Sequence, residues 1–128
     1  MLGDSTIRGT PLRSGEPEWR PLLDLIGSRL AEWFMWMFDL SLADGARVHA
    51  YKHVATRRYL HLAEDGRAFV HEGDERYREI QPRHAIHLAF AGWESLSPEP
   101  EDLLAHAALL RLVSTRAARR TELLEEDA

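Results

Sequence analysis

The strongest constraint on the fold is a turn pattern that occurs twice. Leu42-Ala43-Asp44-Gly45-Ala46 and Ala63-Glu64-Asp65-Gly66-Arg67 each set Asp-Gly between short runs in which apolar and polar residues alternate. A type I turn closed by a glycine in the left-handed region joins antiparallel neighbours. The middle of the chain therefore reads as a meander, with strands expected at about 34–42, 46–54, 57–63, 67–72 and 76–80. Bulky aromatics from Phe34 to Phe38 run into the Asp39-Leu40-Ser41-Leu42 alternation, which favours a strand there over a continuation of the preceding helix.

The flanks read as helical. Pro21 suits a first helical turn, and Leu22, Ile26, Leu30 and Trp33 recur at helical spacing, so a helix is expected over about 18–32. Pro82 opens a short helix through Ala91. Ser97 is placed to cap a longer one, with Pro98 at its first position and its end near 121. Leu103, Ala107, Leu110 and Val113 form the apolar stripe of that helix, with acids at its start and Arg116, Arg119 and Arg120 near its end. Residues 1–16 show no periodicity and are expected to be a flexible tail; 17–121 form one α+β domain, and 122–128 an acidic tail. The expected fold is a four- to five-stranded antiparallel β-meander, one face covered by an N-terminal helix and two C-terminal helices.

Turn length fixes which residues face each other. Three-residue loops at Ala43-Asp44-Gly45 and Glu64-Asp65-Gly66 pair Leu40 with Val48, Asp39 with His49, His61 with Phe69 and Tyr59 with His71. A three-residue loop at Val54-Ala55-Thr56 then pairs His49 with His61 and Tyr51 with Tyr59. In that register Trp36, Phe38, Leu40, Val48, Ala50, Leu60, Leu62, Ala68 and Val70 share the covered face. Asp39, Arg47, His49, Tyr51, His53, Tyr59, His61, Phe69 and His71 share the other, which is the expected binding face.

Composition narrows the chemistry. Among 128 residues there is no cysteine, which excludes disulfides, thiolate nucleophiles and iron–sulfur clusters. A net charge of -5 argues against nucleic acid as a partner. The most apolar window, Leu22 to Leu42, contains Asp24, Arg29, Glu32 and Asp39, so no membrane span and a cytoplasmic protein are expected. Lys52 is the one lysine beside fifteen arginines, the bias of a high-GC bacterial genome.

On the expected face, His49 opposite His61 would hold two imidazoles about 5 Å apart, a start for a divalent metal site that His71 or Tyr59 would have to complete. Asp39 would orient the His49 ring. No local motif such as HExxH supports this, and no activated nucleophile or phosphate loop accompanies the histidines, so no cofactor is expected. Tyr, Phe, His and Arg side by side form the composition of an interface centre. The function expected is a small non-enzymatic binding or assembly module acting through this face. Its occupant is a protein partner or a second copy of the chain, with a small ligand in a curved sheet as a further occupant. The alternative is a metal-dependent or acid–base enzyme centred on His49 and His61. Either tail 1–16 or segment 73–80 folding back would instead bury the face.

Overall fold

A computed structural model describes residues 5–12 and 15–127, with side chains through Val113. The described residues form six strands: β1 (Ile7–Pro11), β2 (Phe34–Leu42), β3 (Arg47–His53), β4 (Tyr59–Ala63), β5 (Ala68–Gly73) and β6 (Arg76–Ile80). Three helices accompany them, α1 (Arg20–Ala31), α2 (Pro82–Ala89) and α3 (Pro100–Asp127), with a single 3-10 turn at Trp93–Leu96. The strands close into an antiparallel barrel in the order β1-β2-β3-β4-β5-β6.

This corrects the expected open meander of four to five strands. The strand that closes it lies in the stretch read as a tail: Ile7 and Arg8 pair with Tyr77 and Arg76 of β6, and Gly9 to Pro11 pair with Leu42 to Leu40 of β2. Gly9 lets this strand approach closely, since a Cβ there would stand 2.8 Å from the Tyr77 ring. Closure encloses the inner face of the sheet, and the helices cover part of the outer one. Leu40, Leu42, Val48, Ala63, Phe69 and Tyr77 fill the lumen, while Phe34, Tyr51, Leu60, Leu62, Ala68 and Ile80 pack outward on the helices.

The two glycine hairpins adopt the expected registers. Asp39 faces His49, Leu40 faces Val48, and His61 faces Phe69. The hairpin between them is offset by one residue, with Ala50 facing His61 and His49 facing Leu62. Its loop has four residues, because Arg57 adopts φ 66° and the His53 and Arg57 amides bond to the Arg58 and His53 carbonyls. The His53 ring supports the loop by accepting the Ala55 and Thr56 amides at Nδ1, each at 3.1 Å. A one-residue offset moves every side chain of the next strand to the other face. A bulge at Met37 between the Trp36 and Phe38 pairs also separates those two residues, Trp36 outward and Phe38 inward.

Leu22, Ile26 and Leu30 bury the inner side of α1, which kinks at Gly27. The last helix begins at Pro100 rather than Pro98, and Ser97 sits in the left-handed region after the 3-10 turn instead of capping it. A residue before proline is disfavoured in the helical region, so Glu99 cannot enter the helix and Pro100 becomes its first residue. The buried stripe of α3 is Asp102, His106, Leu109 and Val113, with Leu103 and Leu110 half-buried and Ala107 exposed. Arg29 of α1 turns Asp102 inward through a 2.7 Å bond from Nε. α3 runs on to Asp127, past the end expected near 121. The Arg116, Arg119 and Arg120 side chains lie outside the described residues. No described helix is long and apolar enough to cross a membrane.

Candidate functional site

The nine residues expected to share one face are divided between the two sides of the barrel wall. Asp39, Arg47, His49, Tyr51 and His53 point outward, whereas Tyr59, His61, Phe69 and His71 lie on the lumen side. His49 and His61 therefore do not oppose each other, and the expected metal pair is not formed. Among the described residues no group of three or more His, Asp or Glu side chains is placed to hold a metal ion.

The outward set is largely buried. His49 donates Nδ1–H to Asp39 Oδ1 at 2.7 Å, and the Trp36 indole donates to the same oxygen at 2.8 Å. The other ring nitrogen of His49 lies 3.1 Å from Glu64 Oε1, in the β4–β5 turn. Residues 15–19 lie over this group. The Tyr51 hydroxyl donates to the Glu18 carbonyl, Trp19 packs 5.6 Å from the Tyr51 ring, and Gly15 approaches Asp39. Burial and the nearby carboxylates of Glu18 and Asp39 raise the Tyr51 pKa. This is a structural clasp between the β1–α1 connection and the barrel, in which Asp39, His49 and Tyr51 are buried. Arg47 alone of the set is exposed.

His53 sits deeper still. Trp33 stacks on it at 5.6 Å, and Phe34, Phe90 and Trp93 meet it edge-on. Because Nδ1 accepts two amides, the ring proton is on Nε2; among the described residues neither this nitrogen nor Trp93 Nε1 nor His106 Nε2 nearby has a hydrogen-bond partner. Burial first, and His106 second, push His53 down to about 4.

The lumen-side set forms the more open site. β4 and β5 pair at His61 with Phe69 and Leu62 with Ala68, and the expected pair of Tyr59 with His71 does not form. The hairpin splays there and leaves a cleft of about 230 Å³ lined by Arg58, Tyr59, His61, Phe69, Val70, His71, Ile80, Ala85 and Leu88. Tyr59 stacks on His61 at 5.7 Å with the rings 15° apart. Tyr77 meets His61 at 5.4 Å and His71 at 5.0 Å, so the four rings form a continuous wall. His61 is 5% exposed. Its ring makes these aromatic contacts but no side-chain hydrogen bond among the described residues. Burial first, then the neighbouring His71, push its pKa down to about 4.

Sequence reasoning missed Val70, expected on the covered face, and Ile80 as cleft residues, and it missed Arg58, Ala85 and Leu88. The last three come from the loop before β4 and from α2, and no local pattern brings them to β4 and β5. Lys52 was likewise missed; its ammonium lies 5.6 Å from the Tyr59 ring centroid at the barrel mouth. His84 and His87 both lie on the exposed side of α2, beside Gln81 and Arg83, in a shallow open depression.

No protein-family model, no curated protein and no solved structure matches this chain.

Proposed function

We propose that the chain is a small non-enzymatic binding module whose site is the cleft between β4 and β5. The observation that carries this reading is His61: a histidine 5% exposed, lining a cavity, whose ring nitrogens make no side-chain hydrogen bond among the described residues. Unlike the ring nitrogens of His53 and His106, those of His61 are not sealed inside the protein, and polar groups that open onto an otherwise apolar cleft are recognition elements for an occupant. Tyr59 and Leu88, each 38% exposed, form an apolar rim to the cleft.

The size of the cleft favours a small ligand over a protein partner or a second copy. A volume of about 230 Å³ is below the 300–1,000 Å³ typical of drug-sized ligands, and suits about one ring with a substituent. The broad face that would have supported assembly is interrupted, since Asp39, His49, Tyr51 and His53 are covered. The acid–base or metal alternative loses its geometry for a related reason: its two histidines lie on opposite sides of the wall.

The test is a titration of the full chain with a panel of single-ring planar compounds, followed by NMR of the histidine and tyrosine rings. Saturable shifts at Tyr59, His61 and His71, abolished by Leu88→Trp, are expected. Shifts confined to other residues, or a concentration-dependent dimer indifferent to Leu88→Trp, would overturn the assignment.

A further inference from the structure

The polar lining of the cleft is one-sided. Arg58, His61 and His71 offer nitrogen groups and Tyr59 offers a hydroxyl, and no aspartate or glutamate lines the cavity. That is notable in a chain whose net charge is -5. The charged and titratable groups that face His61 come from each neighbouring element: Tyr59 on β4, His71 on β5, Tyr77 on β6, Arg58 from the loop, and Lys52 of β3 beyond Tyr59. α2 contributes only Ala85 and Leu88 to the cavity.

We propose, resting on the reading of the cleft as a ligand site, that its ligand is a small planar organic anion, an aromatic ring bearing a carboxylate. The ring would lie against the flat Tyr59–His61 wall, with Phe69, Val70, Ile80, Ala85 and Leu88 enclosing it. The carboxylate would accept from His61 and from His71 or the Arg58 nitrogens not already given to the Ala91 carbonyl. Free His61 is held neutral by burial, and an anion beside it removes that disadvantage, so binding draws a proton onto the imidazole. Affinity therefore rises as pH falls from 7 to 5.

Benzoate and its uncharged isostere benzamide separate the charge from the ring. Titrated into the full chain at pH 5.5, benzoate is expected to shift the His61 and His71 ring resonances and to bind about tenfold or more tightly than benzamide, the effect of a single charge-assisted hydrogen bond. Its affinity is expected to fall between pH 5.5 and 7.5 while that of benzamide stays level. His61→Gln, which keeps a polar group but cannot titrate, should flatten the benzoate profile. Equal affinities for the two compounds, or a level benzoate profile in the native chain, would overturn the anion inference and leave the ligand site standing. Failure of both compounds to move any cleft resonance would remove the ligand-site reading itself.

Discussion

His53 ties acid stability to a specific piece of the architecture. Its ring is fully enclosed by Trp33, Phe34, Phe90 and Trp93, and its Nδ1 holds the Ala55 and Thr56 amides that shape the β3–β4 loop. Protonation would place a charge in an aromatic cage and eject both amides, and burial accordingly lowers its pKa to about 4 from the ordinary value near 6.5. Between those two values the unfolded chain binds more protons than the folded one. Stability is thus complete above pH 6.5 and declines as pH falls toward the folded value. A difference of about 2.5 pKa units corresponds to about 3 kcal/mol lost by pH 4, a large share of the ~5–15 kcal/mol that holds a domain of this size. The assay is urea unfolding followed by tryptophan fluorescence from pH 7.5 to 4, comparing the native chain with His53→Asn. Asparagine keeps an acceptor near the position of Nδ1 and cannot titrate. The variant should be less stable at neutral pH, yet its stability should fall less on acidification, by about 3 kcal/mol. Parallel pH profiles for the two proteins would refute the reasoning.

Three further outcomes follow from the packing. Gly9→Val should destabilise the barrel by about 1–3 kcal/mol in urea unfolding, because even the first side-chain carbon collides with the Tyr77 ring; an unchanged midpoint would mean that β1 does not close the sheet. Asp39→Ala removes the shared acceptor of Trp36 and His49 and should cost about 3 kcal/mol, with the Trp36 emission shifting to longer wavelength as its indole N–H is released. Tyr51→Phe loses the bond to the Glu18 carbonyl and should cost about 1 kcal/mol, accompanied by faster amide exchange across residues 15–19.

What could be read from the sequence depended on whether the backbone announced itself in residue type. Gly45 and Gly66 take φ 91° and 93°, values that glycine adopts without strain, so both hairpins and the Asp39–His49 contact were legible. Arg57 adopts the left-handed region as well, but an arginine carries no such signal, and the loop it closes was read one residue short. That single residue moved His61 from beside His49 to the lumen. The bulge at Met37 was hidden by an apolar run in which every residue looks equally suited to a wall or a core. β1 was missed because Ile7–Pro11 is short and its central glycine shows its purpose only against Tyr77, far along the chain. The cleft had no local signature either, since it arises where a hairpin that could have continued pairing instead splays beneath α2. Its residues were nonetheless partly named: Tyr59, His61, Phe69 and His71 were expected on one face, and they do share one.

The separation of His49 from His61 across the barrel wall is the claim on which the site rests, and proton–proton contacts between aromatic rings in an NMR spectrum of the full chain test it most directly. Contacts from His61 to Tyr59 and Tyr77, together with contacts from His49 to Tyr51, are the predicted result. A direct contact between the His49 and His61 rings would contradict it, restoring the open face and removing the cleft.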